Sequence, residues 1–253
     1  MQPVLGSVQG DSLVFDVGVG SEQGDDQKVI NIFYFCNVMH DFYYALGFDE
    51  RYNFQEVNFV GVGKGGDTVL ALAHPQEVDG TANMATRADG VRAVKNMGLV
   101  PGVNRHTAFD SDVVFHEFTH GVSSRLVGGL LDARGLQQPQ SKGMGEGWSD
   151  YFALTFQNAL ALRSNPEAQE QTVTGNWVTD RPEGIRLHAY DDEYPATFGN
   201  VGSPPYDRDE HAIGEIWCAT LMKMNRDFER YWGAPPRAAL GAIRSRGKWW
   251  LTR

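Results

Sequence analysis

Apolar and polar positions follow two periods along this chain. In KVINIFYFCNVMHDFYYALG, Lys28 to Gly47, the residues Ile30, Phe33, Phe35, Val38, Phe42 and Leu46 recur at roughly helical steps. Gly47 suits a C-cap, so the segment predicts a long helix. Short β-type pieces follow, FQEVNFVGVG and DTVLALAH, separated by GKGGD. A strand-like SLVFDVGV precedes the helix, and residues 79–105 read as loop. VVFHEFTHGVSSRL predicts a second helix, opening after Ser111 or Asp112 and stopped by Gly128-Gly129. A Gly-rich approach, SKGMGEG, feeds a third helix, WSDYFALTFQNALAL. Residues 163–210 are irregular and carry Pro182, Pro195, Pro204 and Pro205. The last helix, EHAIGEIWCATLMKMNRDFERYW, shows an apolar stripe of Ile213, Trp217, Leu221, Met224 and Phe228. The front half mixes strands and helices and the back half is mainly helical, which is an α+β class. There is no internal repeat.

Composition narrows the function. The chain has 253 residues, 42% hydrophobic and 21% charged, ample for one large domain or two lobes sharing a cleft. Its net charge of −10 argues against non-specific nucleic-acid binding. No apolar run approaches the roughly 18 residues of a membrane helix. The start lacks the charged and apolar regions of a signal peptide, so the chain is expected to be a soluble protein or a mature portion without its leader. Cys36 and Cys218 both sit in apolar surroundings and read as buried free thiols rather than a disulfide framework.

The second helix carries the chemistry. His116 and His120 are four residues apart, about 40° round a helix, and share a face. They can present two imidazole nitrogens to one metal ion. Glu117, about 60° from His120, reaches the rim without ligating. That is the H-E-x-x-H arrangement of two zinc ligands with a general base between them. Such a pattern also arises by chance on core helices, so a third ligand matters. GMGEGWSD supplies Glu146, which can complete a His₂Glu site. Asp150, one turn on, can accept a hydrogen bond from the non-ligating nitrogen of His116 or His120. Acidic residues at a helix N-terminus are also favoured by the dipole, but beside an H-E-x-x-H the metal reading is preferred. His211 lies among Asp207, Asp209 and Glu210; spacing alone makes it a surface histidine at a helix start.

These blocks resemble a fungalysin-type metallopeptidase, a relative of the thermolysin-like gluzincins. NIFYFCNVMHDFYYALGFDERYNFQ is similar to the family's N-terminal block, HEFTHGVSSRLVGG to its zinc helix, GMGEGWSD to its third-ligand block and HAIGEIW to its VHxxGEVW block. Together they span residues 29–222. The resemblance implies two lobes with zinc in the cleft between them: an α+β N-lobe, 1–125, ending in the HEFTH helix, and a mainly helical C-lobe, 126–253. It implies that His116, His120 and Glu146 hold one zinc, that Glu117 is base and proton shuttle, that His211 stabilises the transition state and that Asp150 orients a zinc histidine. It also implies a secreted enzyme made with an inhibitory propeptide, which this chain does not contain, and acting on protein or peptide substrates as a monomer.

The departures are local. The family's Asn-Asn-Ala segment on the cleft-edge strand is reduced to DGTANMATRADG, leaving Asn83 as the candidate substrate-backbone contact, and VRAVKNMGLVPGVNRH replaces the strand that normally follows. The tail GAPPRAALGAIRSRGKWWLTR carries five Lys or Arg and no acid, unlike the family's C-terminal helices, and reads as a truncated or altered end after about residue 232.

Three other signals carry less. GVGKGGD lacks the Lys-Ser/Thr step of a P-loop. His40-Asp41 sits mid-helix and reads as a packing pin. YDDEYP clusters Asp191, Asp192 and Glu193, which could take calcium, but a solvated acidic loop accounts for them better. The expected activity is zinc-dependent hydrolysis of internal peptide bonds. The alternatives are a catalytically inactive, zinc-stabilised peptide binder and an aminopeptidase with the same ligands, ranked lower because no amine-anchoring motif is present.

Overall fold

The computed structural model describes residues 7–10, 12–15 and 24–233. The basic tail from residue 234 and residues 16–19 of the strand-like SLVFDVGV lie outside them.

Strands β1 (Ser7–Gln9) and β2 (Ser12–Val14) pair antiparallel ahead of helix α1 (Asp25–Ala45). Helix α1 is apolar on almost every side, so its period alone misplaces the buried face. Ile32, Met39 and Tyr43 are the buried positions, whereas Phe33 is 40% exposed and packs edge-on against Phe15 at 5.5 Å. Leu46 caps the helix and is exposed; Gly47 follows at φ +104°.

Residues 79–105, expected as loop, contain two strands. β3 (Leu70–Ala73), β4 (Ala82–Ala85) and β5 (Val94–Met97) form one sheet in the order β3-β5-β4. β3 runs parallel to β5, and β4 antiparallel to it, opposing Met84 to Lys95. Each strand is four residues long, too short for alternation to register. The lysine in the middle of β5 hides the strand further. FQEVNFVGVG, expected as a strand, is instead a looped segment. The Glu50 carboxylate accepts the N–H groups of Phe59 (2.6 Å) and Val60 (2.8 Å). The Asn58 amide donates to the carbonyls of Glu50 (2.9 Å) and Val62 (2.7 Å). These bonds satisfy backbone that a ladder would otherwise serve.

Helix α2 (Ser111–Gly128) starts one residue before the expected position, because Asp110 is the cap and accepts from the N–H of Asp112 at 3.1 Å. It is buried on nearly all sides. Phe115, Phe118 and Val122 pack with Met39 and Tyr43 of α1, while Val113 and Val114 pack with Ala73, Ala82 and Met97 of the sheet. Two buried cations pin it. Lys95 Nζ donates to the Val114 carbonyl at 2.5 Å. Arg125 pairs with Asp67 at 2.8 Å, both fully buried, and donates to the Asn53 carbonyl at 2.6 Å.

Helix α3 (Pro139–Ser164) begins well before Glu146. Its glycines read as a Gly-rich approach in the sequence, yet they lie within the helix, and at Gly143 and Gly147 α5 (Glu210–Trp232) passes too close for side chains. A Cβ on Gly147 would sit 2.5 Å from the Gly214 carbonyl oxygen, and one on Gly214 2.5 Å from Glu146 Cβ. The same approach shifts the buried face of α5. Ala212, Ile216, Ala219 and Met222 are buried; of the expected stripe Ile213 is also buried, whereas Met224 and Phe228 are exposed. Between α3 and α5 lies a short helix, α4 (Asn176–Thr179), in an otherwise irregular segment, as expected.

Cys36 is half-buried, Cys218 is buried, and both are free thiols. His40 contacts Asp41 at 3.2 Å and Asn53 at 3.3 Å, a link between α1 and the following segment. In the acidic loop, Asp192 is taken by Arg226 (2.8 Å) and by Arg230, and Asp191 accepts the N–H of Glu193 at 2.9 Å. Among the described residues no helix is long and apolar enough to cross a membrane.

Candidate metal centre

Helix α2 presents His116, Glu117 and His120 to a cleft of about 510 Å3, α3 faces them with Glu146 and Asp150, and α5 contributes His211. Residues 79–84, including the edge strand β4, form the opposite wall. The two imidazole Nε2 atoms lie 2.9 Å apart. Glu146 spans both: Oε2 is 3.2 Å from His116 Nε2 and Oε1 is 3.3 Å from His120 Nε2. One ligand atom from each of the three residues falls within 4.8 Å of the others. Glu146 stands in the second turn of α3 rather than at its start, so the helix dipole does not account for it.

The sequence left open which histidine Asp150 would meet. In the structure it is His116, whose Nδ1 lies 2.7 Å from Asp150 Oδ1. In the neutral imidazole, donation from Nδ1–H to that carboxylate leaves the Nε2 lone pair facing His120 and Glu146. Asp150 is itself anchored, accepting from Arg186 Nε at 2.7 Å, from Arg186 Nη2 at 3.0 Å and from the Tyr190 hydroxyl. The Arg186 guanidinium also lies 3.6 Å from Glu146 Oε2.

Burial opposes charge on His116, but Asp150 and Glu146 override it and push the imidazole up to about 10. Burial likewise works against the carboxylates. His120 and His116 nevertheless hold Glu146 well below the usual carboxylate range, and Arg186 and His116 do the same for Asp150. The pocket therefore draws positive charge to the point the imidazoles face, whether a proton or a metal cation. Two nitrogens and a carboxylate converging there form a donor set that suits zinc.

Glu117 is buried beside this cluster and lines the cleft; its Oε2 makes no hydrogen bond among the described residues. His211 is half-exposed, with Nε2 3.6 Å from Glu146 Oε2 and Nδ1 3.1 Å from Asp209 Oδ1. Asn83 lies on β4 at the cleft wall, but its amide is engaged, accepting from Asn96 at 2.8 Å and donating to the Asp79 carbonyl at 3.0 Å.

Arg186 and Tyr190 are absent from the sequence reading. They come from the irregular segment between α4 and α5, where no period or motif marks them. The available signal was indirect: a cleft with Glu117, Glu146 and Asp150 in it calls for a buried cation.

Over residues 6–250 the chain matches the family described as Fungalysin metallopeptidase (M36). It is 37% identical over 207 residues to extracellular metalloproteinase 1 of Trichophyton equinum, covering 79% of this chain and 32% of that protein. It is also 37% identical over 202 residues to extracellular metalloproteinase 5 of Arthroderma gypseum, covering 79% and 31%. The chain thus spans about a third of the length of the curated relatives it matches.

Proposed function

The chain belongs to the fungalysin metallopeptidase family, and from that premise we propose that it is a zinc-dependent endopeptidase of a secreted protein, acting on protein or peptide substrates. His116, His120 and Glu146 would hold the zinc, and Asp150 would orient His116. The observation that carries this reading is the convergence of the two Nε2 atoms, 2.9 Å apart, on the Glu146 carboxylate. The division into an α+β N-lobe, 1–125, and a mainly helical C-lobe, 126–253, belongs to the same proposal. So does monomeric action, which is supported by one chain supplying every residue of the site.

Zinc, when bound, supplies Lewis acidity, polarising a carbonyl and making water nucleophilic near neutral pH. The chain's own residues move the protons. Glu117, buried and with an oxygen free of hydrogen bonds, takes a proton from the attacking water and delivers it to the leaving nitrogen. His211 faces the same point from α5 and donates a hydrogen bond to the oxygen on which charge develops. Asp209 Oδ1 lies 3.1 Å from His211 Nδ1 and fixes the direction of the ring. Edge strand β4 runs along the cleft with backbone available to an extended peptide.

Glu117→Gln tests the proton shuttle. Glutamine keeps the size but takes no proton at neutral pH. The variant is expected to retain full zinc and to lose casein cleavage by at least the ~10²–10⁴-fold typical of acid–base catalysis. Retained cleavage would show that another base acts. A zinc-loaded wild type that cleaves neither casein nor blocked peptides would favour the peptide-binding alternative, and cleavage of free-amine peptides alone would favour an aminopeptidase.

A further inference from the structure

Glu215 lies outside the cleft lining, yet it is 1% exposed on α5, one turn beyond His211. Burying a carboxylate is costly unless donors compensate it. The donor here is backbone: Oε1 accepts the N–H of Leu187 at 2.7 Å. Oε2 makes no hydrogen bond among the described residues.

This N–H immediately follows Arg186, in a segment without helix or strand. Such a segment is held only by local bonds. On either side it is tied by the Ile185 N–H to the Thr174 carbonyl at 3.0 Å and by the Tyr190 N–H to the Thr172 carbonyl at 2.8 Å. Between those ties the Glu215 side chain holds the backbone at Leu187. From Arg186 the connection continues at 2.7 Å to Asp150, and from Asp150 at 2.7 Å to His116.

We propose that Glu215 is a positioning residue: by holding the backbone just after Arg186, it fixes the guanidinium on Asp150 and Glu146 and so sets the orientation of His116 in the metal centre. It also locks the helix that bears His211 to the segment that bears Arg186, so one carboxylate registers two sides of the cleft. The inference rests on the metal-centre reading above.

The test compares wild type, Glu215→Gln and Glu215→Met, stripped of metal and reloaded with cobalt(II). Cobalt affinity is measured by chelator competition, the visible spectrum reports the ligand field, and circular dichroism reports folding. Glutamine keeps an acceptor for the Leu187 N–H and changes only the oxygen that has no partner. It is expected to match wild type in affinity and spectrum. Methionine keeps the volume without any acceptor. It is expected to shift the spectrum and weaken cobalt by about 10–100-fold, as loss of an outer-shell partner typically does. Glu215→Asp withdraws the carboxylate by one methylene and should move in the same direction, which serves if the methionine variant does not fold. Rescue by glutamine at unchanged fold separates positioning from simple packing. A folded Met or Asp variant with wild-type affinity and spectrum overturns the inference alone. Failure of wild type to take up cobalt overturns the metal-centre reading, and this inference with it.

Discussion

At the scale of single residues, Asp150 has the most to satisfy. One carboxylate receives a histidine, two N–H donors from one edge of a guanidinium and a phenol. Its charge is therefore shared between orienting His116 and neutralising Arg186, both nearly fully buried. Asp150→Asn is expected to weaken zinc by about 10–100-fold in a chelator titration. It should also lower the melting temperature, because removing one partner of a buried pair leaves a charge uncompensated, typically ~3–5 kcal/mol. Unchanged zinc affinity would make Asp150 a structural partner of Arg186 only. The sequence made much of this legible for a local reason. His116 and His120, and likewise Glu146 and Asp150, are spaced four apart, and helix geometry turns that spacing into a shared face. Arg186, Tyr190 and Glu215 were not legible as site residues, because each reaches the centre through tertiary contact. Spacing says nothing about which loop returns to which helix.

At the scale of elements, the separation of α3 and α5 is set by missing side chains. Gly143 and Gly147 on one helix and Gly214 on the other let the backbones approach, and that approach brings His211 opposite Glu146. Glycine in a helix costs about 1 kcal/mol relative to alanine, so alanine should stabilise wherever its methyl fits. At Gly145 it fits: the nearest atoms to a Cβ are Leu136 Cδ1 at 3.4 Å and His120 Nδ1 at 3.9 Å. At Gly147 it does not, because the obstacle at 2.5 Å is backbone oxygen and the next atom is Trp217 Cβ at 2.8 Å. Overpacking of this kind costs about 1–3 kcal/mol or more, which outweighs the propensity gain. Gly145→Ala is expected to raise the melting temperature, and Gly147→Ala to lower it and loosen zinc together. Equal shifts of the same sign would refute the close-approach account. The same physics explains where sequence patterns mislead. A run of glycines reads as a loop approach when it lies in a helix, and the large apolar stripe on α5 marks the buried face only at its start, since Ile213 and Trp217 pack over Gly143 and Gly147 while Met224 and Phe228 are exposed. The helices themselves were legible because they are long; β4 and β5 were missed because they are short and a buried lysine interrupts the pattern.

At the scale of the whole molecule, α2 is the fixed part of the site. Arg125 clamps its C-terminal end to Asp67 and the carbonyl of Asn53, Lys95 holds its first turn from the central strand of the sheet, and aromatic packing from α1 fills the back. Against this frame, α3 and α5 bring the remaining groups as a closely packed pair. A net charge of −10 over the chain adds a field that favours cations near such a centre. His116, His120 and Glu146 are proposed to form a zinc site. The most direct measurement is anomalous diffraction at the zinc absorption edge from crystals of the purified protein. One dominant peak is expected within about 2.0–2.2 Å of Nε2 of His116, Nε2 of His120 and a Glu146 oxygen, with Glu117 outside the coordination shell. A zinc peak placed elsewhere, or none after zinc has been supplied, would contradict it.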